Sequence, residues 1–183
     1  CVFKYRIDLS AVEEVLRRED IGAIAVSRPT NPTGNVVSDE EVARLSALSE
    51  NHGIPLILDN AYGAPFPDVM FVPAKPFWSP QVILTMSLSK LGLPGTRTGI
   101  VIAPEQIASA ISSLTAIVGL ANGTLGQQLV LPWIEDGSIL GLGKKILRPF
   151  YEAKSLAAMQ WAREAFTAAG AEWAIHASEG AFF

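Results

Sequence analysis

Three short segments concentrate the residues that could do chemistry. Residues 27–34, SRPTNPTG, contain Asn31; residues 59–63, DNAYG, contain Asp59 and Tyr62; residues 87–99, SLSKLGLPGTRTG, contain Ser87, Ser89, Lys90 and Arg97. An amide, a carboxylate, a phenol, two hydroxyls, an amine and a guanidinium together suit a ligand that carries both an aldehyde and a phosphate. The Lys90 amine can form a Schiff base, and Arg and Ser donors can hold a phosphate dianion by charge-assisted hydrogen bonds. A carboxylate close by pairs with a protonated ring nitrogen and deepens the electron sink of the ring. Pyridoxal 5′-phosphate meets each of these demands.

Each segment has a plain structural explanation when taken alone. Pro29, Pro32 and Gly34 can build a tight turn in which Asn31 bonds its own backbone. Asp59 can cap a helix, Lys90 can be a solvated side chain and Arg97 can be one half of a surface ion pair. Arg28, beside the first segment, has no role in this chemistry and is expected to be ion-paired. The plain explanations must all hold independently, which strains coincidence once the positions of the segments are considered.

Every segment follows a short apolar run, at residues 23–26, 56–58 and 82–86, and a fourth run covers residues 100–103. Continuous apolar runs without alternation predict strands buried on both faces of a mostly parallel sheet, with helices covering it. The fold class is therefore α/β, and ligands of such sheets lie beyond the carboxyl ends of the strands, where the three segments fall. Ser10 with Glu13, and Ser38 with Glu41, predict capping boxes for two helices. Gly53 and Pro55 stop the second, and Pro104 suits the first turn of a helix beginning near Glu105. Residues 138–169 form a long, mainly helical stretch, bent or restarted at Pro149. Residues 173–176 and 181–183 are expected to be strands opening a further unit.

With 14 Lys+Arg against 18 Asp+Glu in 183 residues, the chain has a formal charge of −4 and no basic footprint for nucleic acid. Charged residues make up only 17% of it, which fits a sizeable buried core and excludes disorder. Residues 106–134 are uncharged, but their serines, glutamines and glycines argue for a buried or subunit-facing helix pair rather than a membrane span. Cys1 is the single cysteine, and the histidines are His52 and His176, so the spacing of a zinc site is missing and no metal is expected. A reducing cytoplasm is the natural compartment. The chain opens without Met or a signal peptide and is expected to be an internal piece of a longer protein. Neither a P-loop, a GxGxxG turn nor a Ser/His/Asp arrangement is present.

PTNPTG, an Asp followed three residues later by Tyr, and SLSK followed by GTRTG resemble the fold type I pyridoxal-phosphate aminotransferases of classes I and II. The spacings agree with that family, with 28 residues from Asn31 to Asp59 and 31 from Asp59 to Lys90. The longer strings SRPTNPTGNV, DNAYGAPFP and SLSKLGLPGTRTGI resemble most the bacterial members that exchange an amino group between valine and pyruvate. One departure is that Arg97 follows Lys90 by seven residues where many members use eight, a trait of a subgroup.

The resemblance implies a three-layer large domain over residues 1–170, its N-terminal portion lying outside the chain, with residues 171–183 beginning the small domain. It also implies that Lys90 forms the Schiff base and then moves the proton between the substrate Cα and the cofactor's C4′. Asp59 would hold the pyridinium nitrogen, Tyr62 and Asn31 the ring's O3′, and Ser87, Ser89 and Arg97 the phosphate; Ser89 could instead cap the helix that follows. Asn122 and Gly123 would lie in a loop near a partner subunit's active site, or form a plain turn. The substrates implied are amino acids and 2-oxo acids, and the assembly a homodimer. No arginine of this chain takes the substrate carboxylate, so the 183-residue chain alone is expected to lack full activity. A lyase of the same fold, or an aminotransferase-like sensor domain of a transcriptional regulator, could use the same cradle.

Overall fold

A computed structural model describes residues 1–120 and 123–181. Along the chain come β1 (Val2–Phe3), α1 (Leu9–Arg18), β2 (Ile24–Ser27), α2 (Asp39–Asn51), β3 (Leu56–Asp59) and β4 (Val82–Ser87). Then follow β5 (Gly99–Ile102), α3 (Glu105–Gly119), α4 (Leu125–Glu135), α5 (Ser138–Leu142), α6 (Arg148–Ala168) and β6 (Ile175–His176). The apolar runs form one sheet in the order β2-β3-β4-β5, parallel except for β5, which runs antiparallel to β4. The class is α/β with a mostly parallel sheet, as expected.

Side chains alternate across a strand, so register decides which residues share a face. Leu56, Leu58, Val82, Leu84 and Met86 point to one face and join Val42 and Leu45 of α2, Val130 of α4 and Ile139 of α5 in the main core. The opposite face carries Ile57, Ile83 and Thr85 and is only half-buried. The expectation of strands buried on both faces is thus corrected. On that second side α3 runs past Val101, the two lining an open depression, and α3 buries none of its residues. The uncharged stretch 106–134 is not a buried pair: Ile117 and Val118 are 75% and 84% exposed, and α4 buries only Gly126 and Val130. Among the described residues, no helix is long and apolar enough to cross a membrane.

Helix starts follow local chemistry. At α2 the Ser38 hydroxyl accepts from the Glu41 amide while the Glu41 carboxylate accepts from the Ser38 amide, completing the expected box. The Glu41 carboxylate also accepts from the Ile7 amide at 3.1 Å, tying the entry of α1 to α2. At α1 the expectation is corrected: Asp8, not Ser10, is the cap, its carboxylate accepting from the Ala11 amide at 3.0 Å. Starting the helix at Leu9 aligns Leu9, Val12 and Leu16 on one stripe, a spacing that a start after Ser10 would lose.

The long C-terminal stretch starts afresh beside Pro149, as expected. A π-helical turn, Gly143–Leu147, links α5 to α6, and Pro149, which has no N–H to give, follows it in the first turn of α6. Gly143 packs so closely on the Pro67 carbonyl that a Cβ there would collide with it. β6 pairs in parallel with β1, Val2 opposite Ile175 and Phe3 opposite His176, so the ends of the described chain lie side by side. Phe182 and Phe183, expected in a strand, lie outside the described residues, as does Asn122.

Candidate functional site

The carboxyl ends of β2, β3 and β4 place Ser27, Asp59 and Thr85 in one row, since Ser27 pairs with Asp59 and Asp59 with Thr85. Their side chains therefore share the half-buried face. The Asp59 carboxylate is exposed and held from three sides: the Ser27 hydroxyl donates at 3.1 Å, the Ala61 amide at 3.1 Å and the Thr85 hydroxyl at a long 3.5 Å. The ladder continues past the strands, with the Arg28 amide donating to the Asp59 carbonyl and the Asn60 amide to the Thr85 carbonyl, each at 2.8 Å. Asp59 does not cap a helix; it presents an oriented carboxylate at the carboxyl end of the sheet.

Ser87 ends β4 and caps the 3₁₀ turn Leu88–Leu91, its hydroxyl accepting from the Ser89 amide at 3.2 Å. Ser87, not Ser89, is thus the cap, which leaves the Ser89 hydroxyl for other partners. Arg97 donates to it at 3.4 Å and to the Pro94 carbonyl at 3.5 Å. A guanidinium and a hydroxyl at this separation can both reach one phosphate oxygen. Arg97 adopts a left-handed backbone, φ +47°, in a loop steadied by the Leu88 amide on the Thr98 carbonyl and by close packing of Gly126 against Thr96 and Thr98. Lys90 leaves the same 3₁₀ turn, and its Nζ lies 5.1 Å from the centroid of the buried Tyr62 ring, a cation–π distance. Lys90 is therefore not a freely solvated lysine.

Asn31 lies exposed in the turn after β2, where the Gly34 amide donates to the Thr30 carbonyl and the Thr30 amide to the Asn35 carbonyl, both at 2.8 Å. Arg28 anchors that turn from beneath. Buried to 3% exposure, it donates to the Val37 carbonyl at 2.6 Å and the Lys75 carbonyl at 3.0 Å and pairs with Asp39, the ion pair expected for it. Burial works against the Asp39 ion, but the bonds from Arg28 and the Lys75 amide, with both positive charges, outweigh it and hold the carboxyl below its ordinary value. Gly63 admits no side chain, because a Cβ would strike Asn60 and the Arg28 carbonyl; this lets the Tyr62 turn nest on the Asn31 turn.

Among the described residues no cluster of three or more His, Cys, Asp or Glu stands ready for a metal. His52 caps the C-terminus of α2, and the His176 ring stacks on Tyr5. The candidate residues instead draw together at one sheet edge: Asp59, Tyr62, Ser87, Ser89, Lys90 and Arg97 from β3, β4 and their turns, with Asn31 on the neighbouring turn.

Across residues 2–183 the sequence matches the family model described as aminotransferase class I and II. The chain belongs to that family. Among the aminotransferases similar to it, valine–pyruvate aminotransferase of Escherichia coli (strain K12) is 50% identical over 149 residues, 81% of this chain and 35% of that protein. The crystal structure of valine-pyruvate aminotransferase from Salmonella typhimurium LT2 superposes with a TM-score of 0.82 at 39% identity, covering 97% of this chain and 45% of that one. A Psychrobacter arcticum 273-4 structure, assigned as an amino-acid aminotransferase, gives 0.92 at 41% identity, covering 98% of this chain and 41% of that one. The chain thus spans between 35% and 45% of the length of these aminotransferases.

Two hydroxyls that residue type gives no role stand beside Asp59: Ser27, which opens the first segment, and Thr85. Ser27 and Thr85 are ordinary strand residues by type, and only the register that sets them beside Asp59 gives them a part in the site. The signal was available as position, since each ends or nearly ends a strand that runs into a motif.

Proposed function

We propose that the whole protein is a pyridoxal-phosphate-dependent aminotransferase that moves an amino group from valine, or a similar aliphatic amino acid, to pyruvate. The observation that carries this reading is the amine of Lys90, 5.1 Å from the Tyr62 ring centroid, at the same sheet edge as the Asp59 carboxylate and the Arg97–Ser89 pair. The likeness to valine–pyruvate aminotransferase supplies the substrate class.

The donor set fits the cofactor. Arg97, Ser89 and Ser87 would take the phosphate, Asp59 the ring nitrogen, Tyr62 and Asn31 the ring hydroxyl, and Lys90 the aldehyde. When bound, pyridoxal phosphate supplies an aldehyde that condenses with amines and a ring that withdraws electrons from the substrate Cα. Asp59, oriented by three donors, would place its carboxylate where a protonated ring nitrogen needs a partner. Lys90, on a short turn, would supply the amine that condenses with the aldehyde and, once released, the base that moves the substrate Cα proton. Tyr62 holds the lysine close through its ring face. Arg28 is buried on Asp39 and Arg97 is turned onto Ser89, so neither of these two is offered to the substrate carboxylate. On this reading the enzyme is a homodimer, in keeping with the exposed apolar residues of α3, and residues 171–181 open its small domain.

The deciding experiment is the visible spectrum of the whole protein with pyridoxal phosphate before and after L-valine, and then after pyruvate. Loss of the yellow band with valine and its return with pyruvate is the expected result. A band indifferent to valine but bleached by another amino acid moves the substrate class, and a protein that takes up no cofactor overturns the reading.

A further inference from the structure

The segment that closes the described chain is stitched to both turns of the site. The Glu179 amide donates to the Gly34 carbonyl at 3.0 Å, in the Asn31 turn, while the Glu179 carbonyl accepts from the Phe71 amide at 2.7 Å. Two residues on, the Ala181 amide donates to the Val69 carbonyl at 2.8 Å, and the Val69 amide donates to the Tyr62 carbonyl at 2.9 Å. The fit leaves no slack: a Cβ on Gly34 would lie 2.8 Å from the Gly180 carbonyl oxygen, and one on Gly180 would lie 2.8 Å from the Val69 carbonyl oxygen and 2.9 Å from Pro29.

Main-chain bonds alone would make this an ordinary packed strand, but the Glu179 side chain adds a charged contact. Its carboxylate, 13% exposed, accepts from the Val36 amide at 3.1 Å and pairs with the Lys4 ammonium at 2.6 Å. Lys4 in turn donates to the Val36 carbonyl at 3.1 Å. One carboxylate and one amine, 175 positions apart, thus grip both polar groups of the residue that follows the Asn31 turn. A largely buried pair whose remaining bonds are satisfied by backbone fixes geometry more firmly than an exposed one.

We propose that Glu179, clamped by Lys4, is a positioning residue that sets Asn31 against Tyr62 for cofactor binding. The inference rests on the functional reading above, because the quantity it controls is the grip of those two residues on the cofactor ring. Glu179 itself touches neither substrate nor cofactor.

The test uses the whole protein and two readouts, the pyridoxal phosphate Kd from absorbance titration and the thermal midpoint without cofactor. Glu179→Ala should raise the Kd about threefold or more, a change of the size found for coupled neighbours, and should raise it no further in an Asn31→Ala background. Glu179→Gln, whose carbonyl can still accept from Val36, should recover most of the loss. Lys4→Met, which leaves the main-chain stitches whole, should give an intermediate Kd and serves if Glu179→Ala does not fold. An unchanged Kd in Lys4→Met and Glu179→Ala with only a lower midpoint, or the same Kd factor with and without Asn31, overturns the positioning role. Wild-type protein that binds no cofactor overturns the functional reading and this inference with it; wild type that binds, with variants that bind equally well, overturns this inference alone.

Discussion

Ser27 donates its hydroxyl to the Asp59 carboxylate at 3.1 Å, across two parallel strands whose register places the residues directly opposite each other. The bond orients the carboxylate without adding charge. Ser27→Ala removes about 1 kcal/mol of interaction, typical of a single hydrogen bond. The expected outcome is a pyridoxal phosphate Kd raised about fivefold, with almost no further change in an Asp59→Asn background. Equal affinity of Ser27→Ala and wild type would show that the Ala61 amide and the Thr85 hydroxyl suffice to orient Asp59.

Lys90→Ala should remove the covalent cofactor adduct and lower turnover by at least about 10²-fold, since the residue is both nucleophile and proton carrier. Borohydride reduction followed by peptide mapping checks it. A label retained in the variant, on any other lysine, contradicts the assignment of Lys90.

Asp39 and Glu41 give the fold an acid-side weakness whose sign follows from their partners. At both, burial opposes ionisation, but hydrogen bonds and nearby cations hold the carboxyls below their ordinary values of 3.8 and 4.5. Because the folded value lies below the unfolded one, the contribution is present above the unfolded value and lost as pH falls through the folded one. Asp39→Asn should therefore lower the thermal midpoint at pH about 7, and the gap to wild type should close below pH about 3. A gap that stays constant with pH would show that the loss does not come from the charge of the Asp39 carboxylate.

Asp68 carries the opposite sign. Burial pushes its carboxyl up despite Arg148 and Lys144, so the charged form costs stability at neutral pH. Its φ of +55° is one that Asn adopts readily. Asp68→Asn is expected to raise the midpoint at neutral pH, whereas Asp68→Ala should lower it; a lower midpoint for the Asn variant would mean that the two cations outweigh burial.

Gly143→Ala should destabilise by about 3 kcal/mol or more, because the added carbon would meet the Pro67 backbone rather than a movable side chain. Thermal unfolding measures it. A loss below about 1 kcal/mol would mean that the π-helical turn shifts to make room.

Much of the site was legible because its charged groups sit in motifs that end strands. Lys90, Asp59 and Asn31 could be named from residue type and spacing, since the parallel crossovers that bring them together leave a regular helix–strand rhythm. Asp8 was passed over because Ser10 and Asp8 are equally good caps, and only the stripe of Leu9, Val12 and Leu16 decides between them. The restart at Pro149 is legible because a proline marks the first turn of a new helix, whereas the π-helical turn before it leaves no mark in the sequence. Glu179 was invisible for a different reason: no local pattern links it to Lys4, and the contact exists only after the ends of the chain meet.

That meeting has a consequence for the order of folding. The crossovers of the main sheet close loops of roughly 30 residues, whereas pairing Val2 with Ile175 closes almost the whole chain, at about 1.5 kcal/mol more lost chain entropy. Contacts of such long range form after local ones. During synthesis the turns bearing Asn31, Tyr62 and Lys90 emerge well ahead of Glu179, so the sheet edge can assemble as a loose cradle before it can be tightened. On the positioning role proposed for Glu179, the last residues translated in this stretch are the ones that tighten the cradle.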